Sequence, residues 1–462
     1  MLLTNGETAA GALAQGARWA TEQVLSLAPD DASRRAGSKL GTAGPWSAAG
    51  CDGSGAVWGL CKGSGSRPYQ TVVDTTGPAY KCSCPSRKFP CKHALALLLL
   101  WASDEQTVPE SGSGSVPDWA EEWLSGRRRR AAGREQADTG PGAAAKSADP
   151  DAAGRRAERR AERITAGAGE LEQRLADLLR GGLAAAEQSG YGLWEETAAR
   201  MVDAQAPGLA ARVRDMGAIP GSGPGWPVRL LEECSLVHLL DTAWLGREQL
   251  PERLAATVRT RVGLPSAAEG PAVRDRWLIL AQYDSFDGKL TTRRIWLYGR
   301  ASRRAVLLLS FGAAGRAPQQ ALPVGLMIDA EATAHTGSGP RAELGEQFTL
   351  PVAIDAPPPG GPCASAVDAY GQALRDDPWL DSWPVTLTEV VPVPDGDGWQ
   401  LVDADGSDAL PVAPVALARP GLWKLVALAG GRPVTVFGEF GHRGFVPLTA
   451  WPADMSETVP LI

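Results

Sequence analysis

Three cysteines and one histidine lie close together in the chain, where residues 82–93 read Cys-Ser-Cys-Pro-Ser-Arg-Lys-Phe-Pro-Cys-Lys-His. Thiolate sulfur and imidazole nitrogen are ligands that Zn²⁺ favours, and three Cys with one His form a usual structural set. Four protein ligands complete a tetrahedral shell and leave no position for a substrate, which favours a structural ion over a catalytic one. We therefore predict that Cys82, Cys84, Cys91 and His93 bind one Zn²⁺.

The elements around these residues must bring the two halves of the ligand set together. Residues 68–74 alternate in polarity, residues 75–78 form a turn signal, and residues 79–84 return as a second strand. On a strand, Cys82 and Cys84 point to the same face because they are two residues apart. The apolar run after His93 predicts a helix that packs under this hairpin. The result is a ββα unit with its metal core at 78–96, and we expect the metal to supply much of its folding free energy.

Basic side chains surround the predicted ligands, with no acidic residue among them: Lys81, Arg87, Lys88 and Lys92. One interpretation is that they neutralise a zinc–trithiolate cluster and donate hydrogen bonds to its sulfurs. The other is that they contact phosphates, with Tyr80 and Phe89 available to stack on bases. Residues 127–163 form a second basic stretch, which is typical of a solvated charge run and less so of an auxiliary nucleic-acid arm.

The ligand segment resembles the SWIM zinc finger family, whose pattern is C-x-C-x(n)-C-x-H, and all four positions match. The similarity covers about a fifth of the chain, and residues 82–93 are most similar to bacterial members. The resemblance implies nucleic-acid or protein binding, since the family occurs in chromatin-associated ATPases and transposases. It also implies a possible partner, because bacterial relatives often accompany MoxR-type ATPases and von Willebrand factor A-type proteins.

Length and composition limit the remaining classes. The chain has 462 residues, 44% of them hydrophobic, so it can bury several cores, and its net charge of −7 excludes a uniformly basic nucleic-acid-coating protein. Seven cysteines are too few for a disulfide scaffold of this length, and an odd number leaves at least one of them unpaired. A reduced, cytoplasmic compartment is therefore expected. The cysteines outside the zinc set are predicted to be buried thiols: Cys51, Cys61, Cys234 and Cys363. No secretory signal and no membrane span are predicted.

We predict an α+β multidomain protein with four parts. Residues 1–102 form the zinc domain, and residues 103–164 form a basic linker that is either disordered or helical, apart from a short helix at 117–125. Residues 165–265 form a helical bundle, because Leu171, Leu175, Leu178 and Leu179 share one helical face. Residues 266–462 form an antiparallel, β-rich domain.

Within the β-rich domain, strands are predicted at 276–283, 290–298 and 304–311, with Asp287-Gly288 as the first turn. A second hairpin is predicted from strands at 422–428 and 433–440, and a helix at 364–374. Together they suggest a sheet or partly open barrel packed on the helices. Trp277, Trp296 and Trp423 are predicted to fill its core.

These features lead to three functional hypotheses. The first is a binding or adaptor module for nucleic acid or protein, and the second is an assembly component of a MoxR-type ATPase system with a purely structural zinc finger. An enzyme in the β-rich domain is the third, and it is disfavoured because we find no catalytic triad and no phosphate-binding loop in the sequence. His238 is predicted to be a satisfied core histidine and not a base.

Overall fold

The computed structural model describes residues 18–63, 65, 67–77, 79–86, 88–110, 116–139, 150–184, 186, 190–286, 290–313, 318, 320–337, 339–354, 356–454 and 457–462. The side chains of residues 130–139, 150–153, 190, 191 and 313 are outside this description. Arg87 and the predicted turn Asp287-Gly288 lie outside the described residues. The architecture is mixed α+β, as the sequence predicts, and the described residues form three sheets.

The N-terminal part is a four-stranded antiparallel sheet backed by helices. Its elements are α1 (Thr21–Leu25), α2 (Asp31–Leu40), β1 (Trp46–Cys51), β2 (Ala56–Cys61), β3 (Tyr69–Asp74), β4 (Ala79–Cys82) and α3 (Lys92–Ser103). The predicted ββα unit is thus β3, β4 and α3, and β1 and β2 extend its sheet in the order β1-β2-β3-β4. Helices α2 and α3 approach closely at Gly37, where an added Cβ would lie 2.9 Å from the Cβ of Leu95.

The other face of this sheet is covered by α4 (Asp118–Thr139). Ala120 and Leu124 are buried against Trp58 and Val72, so the first turns of α4 dock where the sequence predicts a short helix. The chain is helical again in α5 (Pro150–Gly181), so the predicted domain boundary at residue 164 falls inside a continuous helix. Of the two predicted alternatives for the linker, the helical one describes these two segments.

Helix α5 belongs to a helical bundle. The bundle also contains α6 (Gly190–Asp203), α7 (Pro207–Ala218), α8 (Trp226–Leu245), a 3₁₀ turn (Arg247–Gln249) and α9 (Glu252–Arg261). Pro207 and Pro227 lie in the first turns of α7 and α8 and Pro251 directly precedes α9, because a proline in the first turn forfeits no intrahelical hydrogen bond. Leu171 and Leu175 are buried in the bundle core, whereas Leu179, predicted on the same stripe, is 44% exposed.

A closed barrel follows the bundle. Its strands are β5 (Ala268–Phe286), β6 (Leu290–Gly299), β7 (Ala305–Ala313), β8 (Leu326–His335) and β9 (Arg341–Gln347). The short strand β10 (Val352–Ala353) pairs with the first residues of β8 in antiparallel orientation. The long strand β5 pairs with both β6 and β8, and β9 closes the ring by pairing with β8 and, in parallel, with β7. The prediction of three strands over 276–311 is confirmed by β5, β6 and β7.

The last part is a six-stranded sheet with three helices. Its elements are α10 (Cys363–Asp376), β11 (Ser382–Asp395), β12 (Gly398–Asp403), β13 (Ala409–Pro411), α11 (Pro414–Leu417), α12 (Pro420–Ala429), β14 (Val434–Gly441), β15 (Gly444–Trp451) and β16 (Val459–Pro460). The strand order is β13-β12-β11-β14-β15-β16. Helix α10 confirms the helix predicted at 364–374.

The hairpin predicted from 422–428 and 433–440 is wrong in its first half, which is helix α12. Leu422, Leu425 and Ala429 are the buried positions, and their spacing of three and four residues is helical. Gly430 adopts φ 52° and ends the helix, a role that glycine fills without strain. Trp423 consequently lies on the outer helix face and is 59% exposed, whereas Trp277 and Trp296 are buried as predicted.

The N-terminal part and the barrel share one hydrophobic core. Leu95 and Leu98 of α3 belong to the same buried cluster as Ile279, Ile295 and Ile328 of the barrel. Helix α3 is therefore buried over almost its whole length in a core formed by two parts of the chain.

Candidate metal centre

The four predicted ligands converge at one end of β4 and α3. The candidate ligand atoms of Cys82, Cys84, Cys91 and His93 all lie within 4.8 Å of one another. The Sγ atom of Cys82 is 3.7 Å from Nδ1 of His93, which identifies Nδ1 as the nitrogen that faces the sulfurs. Cys91 and His93 are buried, and Cys82 and Cys84 are half-buried. The predicted ligand set is thus assembled in space without rearrangement of the backbone elements.

Each pair of ligands is positioned by a different local structure. Cys82 ends β4, paired with Thr71 of β3, and Cys84 lies just beyond the strand. Cys91 is the residue before the first turn of α3, and its carbonyl accepts the hydrogen bond from the Leu95 amide that begins the helix. His93 is the second residue of α3, so its ring points back toward the strand end.

Hydrogen bonds prepare the sulfurs for a cation. Cys91, and after it His93, Thr71 and the backbone of Cys84, lower the pKa of Cys82 to about 4 against the effect of burial, whereas Cys82 and burial raise the pKa of Cys91. The backbone amides of Cys84, Ser86 and Ala94 face the sulfurs of Cys82, Cys84 and Cys91 respectively, and each lowers the pKa of the thiol that it faces. The neighbouring groups thus favour a thiolate at Cys82, and a backbone amide lowers the pKa of each of the three thiols.

The donor chemistry and the spacing fit Zn²⁺. A Zn–S bond of about 2.3 Å in a tetrahedron implies about 3.8 Å between neighbouring sulfurs, so a shell within 4.8 Å needs only a small contraction. Bound zinc would keep all three thiols deprotonated and cross-link β4 to α3. This cluster fits a single structural Zn²⁺ held by Cys82, Cys84, Cys91 and His93.

The predicted basic rim is only partly free. Lys81 and Lys92 are exposed, and neither side chain forms a hydrogen bond or ion pair with the described residues. Lys88 is exposed too, but its Nζ lies 2.6 Å from a carboxylate oxygen of Asp30. Arg87 lies outside the described residues.

The two aromatic residues predicted to stack on bases differ in exposure. Phe89 is 41% exposed and accessible. The hydroxyl of Tyr80 is buried without a hydrogen-bond partner among the described residues, and burial raises the pKa of this group. Tyr80 is half-buried and packs against the core that the N-terminal part shares with the barrel, so it is less accessible for stacking than Phe89.

Three residues near the ligands were not predicted to take part in the site. The Oγ1 atom of Thr71 lies 3.2 Å from the sulfur of Cys82, and the ring of Tyr69 packs on the ring of His93 with 4.8 Å between centroids. Cys61 is buried at the end of β2, where burial and the sulfurs of Cys82 and Cys84 raise its pKa. Thr71 pairs with Cys82 in the antiparallel β3–β4 hairpin. The position of the turn between the two strands is the sequence signal from which this pairing could have been derived.

The geometry defines a small zinc finger in which a strand, a connecting loop from Ser83 to Cys91 that we call the knuckle, and a helix supply the ligands. Residues 73–102 match the family model of the SWIM zinc finger, and residues 159–262 match that of the SWIM-associated four-helix bundle domain. The chain therefore carries a SWIM zinc finger followed by its associated bundle domain. Comparisons with curated proteins and with solved structures gave no match.

The other predicted residues, apart from Cys61, lie outside this centre. Cys51, Cys61, Cys234 and Cys363 are free and buried, as predicted. His238 is not a core histidine: its side chain is 61% exposed, and its Nδ1 lies 2.6 Å from a carboxylate oxygen of Glu172. Among the described residues, no helix is long and apolar enough to cross a bilayer.

Proposed function

We propose that the zinc finger is a non-enzymatic binding module that presents a basic surface to nucleic acid in the cytoplasm. The observation that carries the proposal is the pair of exposed lysines, Lys81 on β4 and Lys92 on α3, on the two elements that the metal ties together. Their ammonium groups lack a protein partner among the described residues, so they are free to replace phosphate counterions. The exposed ring of Phe89, in the knuckle, supplies an apolar surface for a base.

The closed ligand set supports a binding role and not catalysis. Four protein ligands fill the coordination shell of Zn²⁺ and leave no position for an activated water. The metal then fixes the distance between β4 and α3, which is the condition for two lysines to recognise neighbouring phosphates. Lys88 contributes less to this surface because Asp30 neutralises it.

The test is a fluorescence anisotropy titration of the zinc-loaded chain with labelled DNA and RNA at several salt concentrations. The double variant Lys81→Gln/Lys92→Gln should weaken binding and reduce the salt slope by about 1.5, since each lost phosphate contact removes roughly 0.7 to 0.9. Lys424→Gln is the control, because this exposed lysine lies on α12, outside the β4–α3 unit that carries Lys81 and Lys92. Absence of binding to any nucleic acid at low salt would refute the proposal.

A second candidate function is a protein adaptor, for which a MoxR-type ATPase is the implied partner. The observation that favours it is the core shared by α3 and the barrel, which gives the zinc finger an architectural role. An exposed apolar stripe on α8, formed by Val228, Leu231 and Leu239, then becomes the candidate interface. Co-purification with such an ATPase should survive Lys81→Gln/Lys92→Gln and be lost in Val228→Glu/Leu231→Glu; the opposite pattern would reject this candidate.

A further inference from the structure

A cleft of about 460 Å³ lies where the bundle, the barrel and the last sheet meet. Its walls come from α7 and α9, from β6 and β7, from the loop between β8 and β9, and from β11 and β14. A volume of this size accommodates a ligand as large as a nucleotide. The cleft is separate from the zinc centre, since no zinc ligand is among its lining residues.

Four arginines and three carboxylates line the cleft, and the arginines are Arg212, Arg261, Arg294 and Arg341. Burial and the neighbouring positive charge of Arg261 both lower the pKa of Arg212, which indicates crowded, desolvated cations on this wall. The carboxylates in the lining are Asp377, Asp381 and Glu439. An excess of guanidinium groups in a partly desolvated cleft favours an anionic ligand.

Two of the three carboxylates are already satisfied by protein groups. Both oxygens of Asp377 accept hydrogen bonds from the guanidinium of Arg261, at 2.6 to 3.1 Å. The carboxylate of Glu439 accepts hydrogen bonds from the Tyr283 hydroxyl, the Trp296 indole and the Ser382 hydroxyl. Only Asp381, which is exposed, remains as an acidic group without such bonds in the described part of the cleft.

Arg294 and Arg341 are the arginines that the protein leaves unused. Both side chains are half-buried, and within the described residues neither forms a hydrogen bond or an ion pair. A guanidinium carries five N–H donors in a fixed plane that matches phosphate oxygens in two-point contacts. Two such groups in one cleft indicate a ligand with more than one anionic centre.

The strand register places these arginines on one continuous face. Arg294 of β6 pairs with Leu309 of β7, and Leu307 of β7 pairs with Arg341 of β9. The two arginines are therefore two strands and two residues apart, or about 12 Å between Cα atoms. Phe311 continues the same face of β7 beyond Leu309 and is 52% exposed, so an accessible aromatic ring follows the basic positions.

The topology of the barrel gives this face a known setting. The order of neighbouring strands around the ring is β5-β6-β7-β9-β8, and β7 and β9 are parallel. If β5 is counted as the first strand, this order is 1-2-3-5-4. That is the strand order of an OB-fold, whose second and third strands and whose loop between strands four and five bind oligonucleotides and oligosaccharides. The lining of the cleft includes those elements, namely β6, β7 and, from the loop, Thr336, Gly337, Gly339 and Pro340. A fold alone does not define a ligand. The arginines of the cleft favour an oligonucleotide, which carries phosphates, over an oligosaccharide.

We propose that this face of the barrel, from the cleft to Phe311, binds phosphate-linked nucleotides of a single-stranded nucleic acid. Arg294 and Arg341 contact two phosphates, and Phe311 stacks on a base. A free nucleotide offers the same chemistry and is the alternative source of the ligand. The proposal does not depend on the zinc finger, because the two surfaces are made by different residues.

The experiment measures binding of a labelled 12-nucleotide single strand to the zinc-loaded full chain by fluorescence anisotropy across salt concentrations. Arg294→Gln/Arg341→Gln should weaken binding at least tenfold and reduce the salt slope by about 1.4, since each single-strand phosphate contact contributes roughly 0.7. Phe311→Ala should weaken binding while it leaves the slope unchanged. A mononucleotide is then added as a competitor of the labelled strand. Competition that is seen with the original chain and lost in the arginine variant would identify a free nucleotide as a second ligand of this site.

Two controls keep the result interpretable. Arg432→Gln changes an exposed arginine between α12 and β14 that does not line the cleft, and it should bind like the original chain. Lys81→Gln/Lys92→Gln tests the zinc finger in the same assay. Unchanged affinity and slope in the arginine variant, in a protein with an unchanged melting temperature, would overturn the barrel site even if the zinc finger binds nucleic acid.

Discussion

The sharpest consequence of the structure concerns a buried carboxyl group in the bundle. Asp241 of α8 is fully buried, and neither of its oxygens has a hydrogen-bond donor among the described residues. Burial and the adjacent Glu172 carboxylate raise the pKa of Asp241 to about 8. Glu172 is in turn held by His238, whose Nδ1 lies 2.6 Å away. Asp241 is therefore protonated at neutral pH in the folded protein, beside the carboxylate of Glu172.

The sign of the pH effect follows from the raised pKa. The folded state retains a proton that the unfolded state releases above about 4, so the stability of the bundle decreases as pH rises from about 4 to about 8. Each pH unit in that window costs about 1.4 kcal/mol. Asp241→Asn removes the titration and keeps nearly the same size and shape of side chain. The stability of the variant relative to the original chain should therefore increase by about 4 kcal/mol between pH 5 and pH 8.

The measurement is amide hydrogen exchange of α8 at several pH values, corrected for the intrinsic exchange rate, because local opening of one element is the quantity affected. Asp177→Asn is the control: this exposed carboxylate pairs with Arg180 on the surface of α5, so its replacement should have a small effect that varies little with pH. A difference between Asp241→Asn and the original chain that is constant from pH 5 to pH 8 would refute the reasoning.

Two further predictions concern packing and buried charge. Gly167→Ala should destabilise the bundle, because an added Cβ would lie 2.6 Å from the Cβ of Ala204. Gly169→Ala on the same helix meets nothing within 4 Å and should stabilise the bundle by up to about 1 kcal/mol. Thermal denaturation of both variants checks this, and equal shifts of the melting temperature would contradict it. Asp284→Ala should destabilise the barrel by about 3 to 5 kcal/mol, because it leaves the buried guanidinium of Arg293 without its carboxylate partner; urea denaturation measures this, and a loss below 1 kcal/mol would count against it.

The zinc site was predictable because its information is local. Cys82, Cys84, Cys91 and His93 lie within one hairpin–helix segment, and the tetrahedral preference of zinc restricts the spacing that such a segment can have. The same local rules identified the strands on either side of residues 287–289. In contrast, residues 422–428 were assigned to a strand because a short apolar run fits both periods, and only Gly430 and its positive φ show that a helix ends there.

The features that the sequence did not reveal depend on contacts between distant segments. The closing pair β8–β9 joins strands whose pairing no local pattern specifies, so a barrel could be named only as an alternative to a sheet. The common core of α3 and the barrel joins Leu95 to Ile279, which are far apart in the chain. The cleft with Arg294 and Arg341 is a product of this assembly, and neither arginine stands in a motif of its own.

The central claim is that four named residues hold one structural zinc ion. Elemental analysis of the purified chain, combined with hydrogen exchange of β4 and the first turn of α3, tests it most directly. We expect one zinc per chain, lost in both Cys84→Ala and His93→Ala together with protection at β4, whereas Cys61→Ala keeps the metal. Full zinc retention in both ligand variants, or a chain that binds no zinc when its thiols are reduced, would contradict the account.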